Sequence, residues 1–237
     1  MQILKNIYQV GGDLNGITFD GVDAGYNDCN TYIIATDNGL IMIDSGCGDT
    51  LDQIFRNMKY WSLNPEDIKY CILTHPHLDH AGGGAALKKQ GVKIIAISET
   101  ADAVSKGDER TCPYLYHKKF NPFEVDIIIK DNESFEILGI NFEVMHLPGH
   151  SMGCTAYLFN HEEKRIVISG DVIGTLLAGF HGWDGSIDFN KEKYIESLIR
   201  FSKIDSDVML PGHGMIYFYK PRRRVEEALN LALIEWR

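Results

Sequence analysis

The sequence predicts an α+β fold in which two β-sheets pack face to face and carry helices on their outer surfaces. The first observation is the order of the elements: short apolar runs rich in β-branched residues precede segments with helical spacing, and this order occurs twice. The second is composition, because 44% of the 237 residues are hydrophobic, 24% are charged, and no biased stretch marks a linker. We therefore expect one domain that spans residues 1–237.

The first half begins with three strand signals, ILKNIYQV, NTYIIAT and GLIMIDS, which are apolar runs bounded by Gly or Asn. Residues 50–61 change to helical spacing and predict an amphipathic helix. KYCILT and VKIIAIS predict two further strands, and GAALKKQG between them predicts a short helix that Gly91 closes. Residues 98–125 show no clean period and predict an irregular or partly helical insertion.

The second half again places strands before helices. VDIIIK, SFEIL, INFEVMHL, CTAYLFN and KRIVISG predict strands, several of them paired as hairpins. Residues 191–203 and the final stretch from Val225 to Trp236 carry apolar stripes at helical spacing. Between these two helices, SDVMLPGHG predicts a strand that ends in a histidine flanked by glycines.

Net charge, hydrophobic runs and cysteine spacing indicate which partners and which cellular compartment to expect. The formal net charge is −10, which disfavours general binding to nucleic acid. We see no apolar run of about 20 residues that would cross a membrane and no secretory signal at the start. The five cysteines show no CxxC spacing, which is typical of reduced thiols, so we expect a cytoplasmic protein.

The stretch ILTHPHLDHAGGG, residues 72–84, concentrates metal-binding side chains at the end of a predicted strand. It contains His75, His77, Asp79 and His80, and three further candidates follow later strands: His150, Asp171 and His213. Imidazole and carboxylate groups are ligands of zinc and of non-haem iron or manganese. Seven such groups exceed the needs of one tetrahedral ion but suffice for two ions about 3.5–4 Å apart.

The spacing within this stretch suits two ions. His75 and His77 are two residues apart, so on an extended segment they point the same way. Asp79 and His80 follow after the chain turns and can face a second ion. The glycines at 82–84 allow the backbone to bend tightly beneath the site.

Five ordered motifs resemble the metallo-β-lactamase superfamily: IMIDSG, THPHLDHAGG, LPGHSMG, ISGDV and PGHG. This resemblance implies a four-layer αββα sandwich with a two-metal site in a cleft between the sheets. It also implies a role for each matching residue. The first metal is held by His75, His77 and His150, the second by Asp79, His80 and His213, and Asp171 bridges them. In the same way, Asp44 is expected to orient ligand histidines, and Asp79 to act also as a catalytic proton shuttle.

The resemblance predicts a metal-dependent hydrolase that uses two divalent ions, most naturally zinc with iron or manganese as alternatives, and a metal-bridged hydroxide. We expect the substrate to be a small ester, lactone or thioester. Two features of the sequence bear on which branch of the superfamily the chain resembles. Only 24 residues follow His213, fewer than the glutathione-binding extension of glyoxalase II requires, and Gly174 stands where lactonases commonly have tyrosine.

Other activities remain open at this stage. One is a mononuclear iron dioxygenase that acts on a sulfur substrate, as persulfide dioxygenases do. Others are a phosphodiesterase or nuclease, a β-lactam hydrolase, or a binding protein without turnover. A homodimer is also compatible with the sequence.

Several further residues receive structural interpretations. We expect His146 to support the site or the core, and His117, His161 and His181 to lie on the surface. Cys47 and Cys154 are interpreted as small buried residues, and the run KPRRR, with Arg222 to Arg224, as a solvated helix face. The aromatic residues of the insertion either line the cleft or anchor it to the core: Tyr114, Tyr116, Phe120 and Phe123. Residues 98–125 and 175–190 are predicted to form the cleft walls.

Overall fold

The computed structural model describes residues 1–12, 28–174 and 184–236, and within these ranges the first half forms a seven-stranded sheet. Its strands pair in chain order: β1 (Gln2–Leu4), β2 (Ile7–Gln9), β3 (Tyr32–Thr36), β4 (Gly39–Ile43), β5 (Ile68–Ile72), β6 (Lys93–Ile97) and β7 (Ile127–Ile129). Strands β1 to β4 are antiparallel, whereas β4 to β7 are parallel. The carboxyl ends of the parallel strands therefore share one edge.

The second half forms a five-stranded sheet within the described residues. Its strands are β8 (Ser134–Ile137), β9 (Ile140–His146), β10 (Thr155–His161), β11 (Lys164–Gly170) and β12 (Val208–Pro211), in the spatial order β12, β11, β10, β9, β8. Only the β11–β12 pair of this sheet is parallel. These two strands therefore end at the same edge, where Asp171 and His213 follow.

The helices lie between and after these strands. They are α1 (Leu51–Tyr60), α2 (Leu78–Ala81), α3 (Gly84–Lys89), α4 (Ser98–Lys106), α5 (Lys191–Phe201) and α6 (Pro221–Glu235). Short 3-10 turns cover Pro65–Asp67, Glu109–Thr111 and Pro113–Tyr116. The helix α5 begins where the Asn190 side chain accepts the Lys193 N–H at 2.9 Å, a common N-terminal cap.

Alternate side chains on each central strand point to opposite faces and divide the apolar residues into three cores. On β4, Met42 faces a core shared with α1, α3 and α4, whereas Ile41 faces the core between the sheets. On β11, Ile168 faces that same middle core, and Val167 faces a third core shared with α5 and α6. The layers therefore run helix, sheet, sheet, helix, which confirms the predicted αββα sandwich.

One predicted strand differs in detail. The run ILKNIYQV is not one strand but the hairpin of β1 and β2, because Asn6 adopts a left-handed backbone (φ 61°) that reverses the chain. The insertion 98–125 is partly helical, which is one of the two predicted alternatives, since α4 occupies 98–106 before the irregular part. No helix in the described part of the chain has the length and apolar character that crossing a bilayer requires.

Candidate metal centre

The structure brings all seven predicted ligands together at the strand ends, six of them in two triads and Asp171 between the triads. His75, His77 and His150 form the first triad, in which His150 Nε2 lies 3.2 Å from His77 Nδ1. The second triad is made of Asp79, His80 and His213, and His213 Nε2 lies 3.0 Å from Asp79 Oδ2 and 3.3 Å from His80 Nε2. Within each triad the ligand atoms all lie within 4.8 Å of one another.

Asp171 lies between the two triads. Its Oδ2 is 3.6 Å from His150 Nε2 and 3.5 Å from His213 Nε2, one atom from each triad. Its Oδ1 is 3.4 Å from His80 Nε2. One carboxylate therefore faces both halves of the centre, which is the position that a bridging ligand needs.

The close approach of Asp171 depends on a glycine in the motif PGHG. A Cβ atom at Gly212 would lie only 2.0 Å from Asp171 Oδ1 and 2.7 Å from the His80 ring. Any side chain at this position would displace the carboxylate. Gly212 is therefore required by the packing of the candidate ligands themselves.

The chemistry of the donor set fits divalent cations. The buried atoms His75 Nε2 and Asp171 Oδ1 have no hydrogen-bond partner among the described residues, an arrangement that costs free energy unless something else binds there. A ring nitrogen of His77 and one of His150 also lie at contact distance from each other. Such convergent nitrogen and oxygen atoms match the preferences of zinc, iron and manganese.

The electrostatics agree with this fit. Burial and the neighbouring imidazoles lower the pKa of His75 far below its usual value, and burial with His150 lowers the pKa of His77 to about 3. Both rings are therefore neutral, which is the form that binds metal. Burial acts to lower the pKa of His80 and His213 too, but nearby acidic groups outweigh it and raise both. The second triad thus favours positive charge.

Asp44 supports the centre from the end of β4. This residue is buried and has a left-handed backbone (φ 55°), so its carboxylate turns back under the ligands. Its Oδ1 accepts the Thr74 N–H at 2.8 Å. Its Oδ2 accepts the Thr74 hydroxyl and the Nδ1–H of His80, each at 2.8 Å. His80 therefore presents Nε2 to the centre, as expected for a ligand whose other nitrogen is held.

Thr74 extends the same support to His75. Because its hydroxyl proton is given to Asp44, its oxygen accepts from His75 Nδ1, 3.1 Å away. His75 then presents its bare Nε2 to the centre. The sequence analysis missed Thr74, although it directly precedes His75 in the motif THPH, because a lone threonine carries no metal-binding signal of its own.

Other candidate residues have structural roles. His146 lies 2.8 Å through Nε2 from the Met152 carbonyl oxygen, so it supports the loop that carries His150. His117 is exposed, His161 contacts the Lys5 carbonyl oxygen, and His181 lies outside the described residues. Cys154 is buried, which raises the pKa of its thiol to about 12, and Cys47 is half-buried with a raised thiol pKa for the same reason.

The arginines of the basic run on α6 differ in their exposure to solvent. Arg222 pairs with Glu226 and Asp205, and Arg223 with Glu227, on the exposed face that the sequence predicts. For Arg224 that interpretation is wrong, because the residue is buried and donates to the Gly174 carbonyl oxygen at 2.8 Å. Arg224 therefore anchors the loop that follows Asp171.

The aromatic residues of the insertion also differ in where they lie. Phe120 and Phe123 are buried in the core shared with α1, α3 and α4, so they anchor the insertion. Tyr116 is half-buried beside Asp79, and burial together with that carboxylate raises the pKa of its phenol. Tyr114 is exposed and donates to the Gly185 carbonyl oxygen at 3.3 Å, which joins the insertion to the segment 184–190.

Comparisons with known proteins agree with this architecture. Hydroxyacylglutathione hydrolase GloC of Haemophilus influenzae is 29% identical over 195 residues, which cover 77% of this chain and 84% of the relative. Atrochrysone carboxyl ACP thioesterase of Aspergillus fumigatus is 30% identical over 188 residues, but the match covers 79% of this chain and only 51% of that protein. Several further hydroxyacylglutathione hydrolases and lactamase-like proteins are likewise matched over about half of their length.

Solved structures share the fold. The native FEZ-1 metallo-beta-lactamase from Legionella gormanii superposes with a TM-score of 0.77 at 22% identity, over 99% of this chain and 94% of its own. BJP-1, a subclass B3 metallo-beta-lactamase of Bradyrhizobium japonicum, gives 0.75 at 24% identity, over 99% and 91%. Finally, the family model for the metallo-beta-lactamase superfamily matches residues 24–213, most of the chain. The chain belongs to the metallo-beta-lactamase superfamily.

Proposed function

We propose that the protein is a di-metal hydrolase that cleaves a small ester, lactone or thioester. The observation that carries this proposal is the pair of triads that share Asp171. In this proposal the first ion is held by His75, His77 and His150, the second by Asp79, His80 and His213, and both by Asp171. Two bound divalent ions, most naturally zinc, would supply an activated water and polarise the bond under attack.

Asp79 is the proposed catalytic residue of the chain itself. Its Oδ2 lies 3.0 Å from His213 Nε2 and 3.5 Å from His80 Nε2, at the centre of the second triad. Tyr116 lies beside it from the insertion. A carboxylate held there can take a proton from the attacking water and give it to the departing group, which we assign to Asp79.

The names of two relatives, and their sequence identity to this chain, support a carboxylic ester or thioester as the bond that is cleaved. Hydroxyacylglutathione and acyl-carrier-protein substrates are both thioesters, and two relatives at 29–30% identity are named for them. The lactamase structures are below 25% identity, so they support the fold and not a β-lactam substrate. Within the proposed range of substrates, we therefore place a thioester first.

We propose that the substrate lies in a cleft bounded by residues 98–125 and 184–190. Two described contacts support this position: Tyr116 lies beside Asp79, and Tyr114 bonds to Gly185. The predicted wall residues 175–183 lie outside the described residues. We also propose that the described residues act as one domain, since ligands from both sheets complete the same centre.

A substrate screen tests this function. Metal-free protein is reconstituted with zinc, iron or manganese and assayed against lactones, thioesters, phosphodiesters and β-lactams. We expect turnover of a thioester, or of another carboxylic ester or lactone, and none with the Asp171→Ala variant. Protein that holds two ions and hydrolyses no member of these classes would contradict the proposal.

The same preparation distinguishes the proposed hydrolase from the mononuclear iron dioxygenase that the sequence left open. That activity uses one iron ion per chain and consumes oxygen when a persulfide is added. We expect about two divalent ions per chain and no oxygen uptake. One iron with persulfide-dependent oxygen uptake would replace the hydrolase.

A further inference from the structure

We propose that Ser186 and Asp188 are positioning residues for the first metal ion, because together they orient His77; this inference rests on the proposed metal centre. We call these two residues the loop support, since they lie on the segment 184–190 that precedes α5. The corresponding pair Asp44 and Thr74, at the ends of β4 and β5, is called the strand support. The sequence analysis placed Ser186 and Asp188 in a predicted cleft wall and gave neither of them a role toward a metal ligand.

Hydrogen-bond direction carries the argument. Ser186 is buried, and its Oγ donates to Asp188 Oδ1 at 2.5 Å. A hydroxyl has a single proton, so the Ser186 oxygen faces His77 Nε2, 3.4 Å away, as an acceptor. His77 therefore carries its proton on Nε2 and presents a bare Nδ1. That atom is the one that lies 3.2 Å from His150 Nε2, toward the centre of the first triad.

Asp188 also holds the second ligand loop. Its Oδ2 accepts the Met152 N–H at 2.9 Å, two residues after His150. The backbone of that loop is fixed further where the Asn190 N–H donates to the Gly149 carbonyl oxygen at 2.9 Å. One carboxylate thus fixes the ring of His77 and the loop of His150, which are two of the three ligands proposed for the first ion.

The strand support repeats the same order of groups elsewhere in the molecule. There the carboxylate of Asp44 accepts from the hydroxyl of Thr74, which accepts from the imidazole of His75. In the loop support the carboxylate of Asp188 accepts from the hydroxyl of Ser186, which accepts from the imidazole of His77. Two ligands of one ion are therefore oriented by the same chemistry, and such partners are known to raise the basicity of a ligand imidazole and fix its direction.

Metal binding by the whole protein tests this inference without relying on turnover. Zinc affinity is measured by competition with a coloured chelator on wild type, Ser186→Ala, Asp188→Asn and Ser186→Thr. We expect the affinity of one ion to fall about 10–100-fold in the first two variants while that of the other ion changes little. Ser186→Thr keeps the hydroxyl and should restore most of the affinity.

Asp126→Asn is the matched control. Asp126 is also a carboxylate that accepts a backbone N–H, from Ile94 at 2.8 Å, but it lies at the outer edge of the first sheet beside Lys88. Its loss should leave both affinities unchanged. The absorption bands of the cobalt-substituted protein provide a second readout, since a rotated His77 alters the ligand field without unfolding the chain.

The outcomes separate this inference from the proposed function. Wild-type affinity for both ions in Ser186→Ala and Asp188→Asn would overturn the loop support and leave the hydrolase intact, as would an equal loss in Asp126→Asn. A site-selective loss in a protein that hydrolyses nothing in the substrate screen would retain the loop support and remove the hydrolase. A wild-type protein that binds no ion would overturn both.

Discussion

The strand support and the loop support do the same task in different surroundings. Asp44 and Thr74 are almost completely buried, and three hydrogen bonds of 2.8 Å converge on the one carboxylate. Asp188 is only half-buried, and the contact from Ser186 to His77 is longer, at 3.4 Å. The strand support is therefore part of the folded core, whereas the loop support belongs to the proposed cleft wall. Of the proposed metal ligands, His75 and His80 should be oriented by folding alone, whereas the orientation of His77 should respond to the wall.

Asp171 belongs to neither support but faces both triads, so its loss should have the largest effect. Asp171→Ala removes the carboxylate that faces both triads. We expect hydrolysis to fall to the background of the assay and at least one ion to be lost, because neither support can replace a missing ligand. Steady-state kinetics and metal analysis of the variant check this. Turnover close to wild type would mean that Asp171 does not bridge.

Asp44→Asn tests the strand support directly. Asparagine tolerates the left-handed backbone at this position, so the variant removes the carboxylate charge and one acceptor rather than the turn. Because both His75 and His80 depend on Asp44, we expect a loss of about 100-fold or more in zinc affinity and about 1–3 kcal/mol in the free energy of unfolding. Chelator competition and urea unfolding measure the two quantities.

The comparison also predicts that Asp44→Asn lowers the free energy of unfolding more than Asp188→Asn does. If Asp188→Asn lowered the free energy of unfolding as much as Asp44→Asn does, the distinction between a core support and a wall support would be lost.

Asp28 is a further buried carboxylate near the strand support, and burial outweighs the hydrogen bonds that it accepts. It accepts the Cys47 N–H, yet burial raises its pKa from 3.8 to about 6. The folded state therefore binds this proton more tightly than the unfolded chain. The stability that Asp28 contributes is fully present below about pH 4 and is lost as the pH rises through 6, by about 3 kcal/mol for a shift of about 2 pKa units.

Asp28→Asn should remove this pH dependence. Above pH 6 we expect the variant to be more stable than wild type by up to about 3 kcal/mol, and the difference should shrink toward pH 4. Urea unfolding of both metal-free proteins across this range measures it, so that metal release does not contribute. Parallel stability curves for the two proteins would contradict the assignment.

Thr74→Val should have the smallest effect. Valine keeps the volume of threonine but breaks the link from Asp44 to His75, while the bond from Asp44 to His80 remains. We expect a loss of about 10-fold in the affinity of the first ion and about 1–2 kcal/mol in unfolding. Thr74→Ser, which keeps the hydroxyl, is the control. An equal loss in Thr74→Ser would assign the effect to packing rather than to the hydrogen bond.

The sequence predicted the layers, most element positions and the seven candidate ligands, which the structure brings close together. This was possible because strand periodicity is local and because His75, His77, Asp79 and His80 lie within six residues. The remainder depends on distant pairs. Ser186 contacts His77 although the two residues are 109 positions apart in sequence, and no residue spacing predicts such a contact.

The misread elements have similar causes. Asn6 reverses the first strand through a backbone conformation that its neighbours in sequence do not specify. Arg224 was interpreted with its two charged neighbours, but the turn of α6 buries its side chain and directs it to the Gly174 carbonyl oxygen. Both depend on which way a single residue points, and composition and charge do not determine that.

Counting metal ions in wild type and in one variant of each triad tests the central claim most directly. Elemental analysis after reconstitution and removal of excess zinc should find about two ions per chain in wild type. His150→Ala and His213→Ala should each retain about one, because each removes a ligand from a different triad. A single ion in wild type, lost in full by both variants, would contradict a centre built for two.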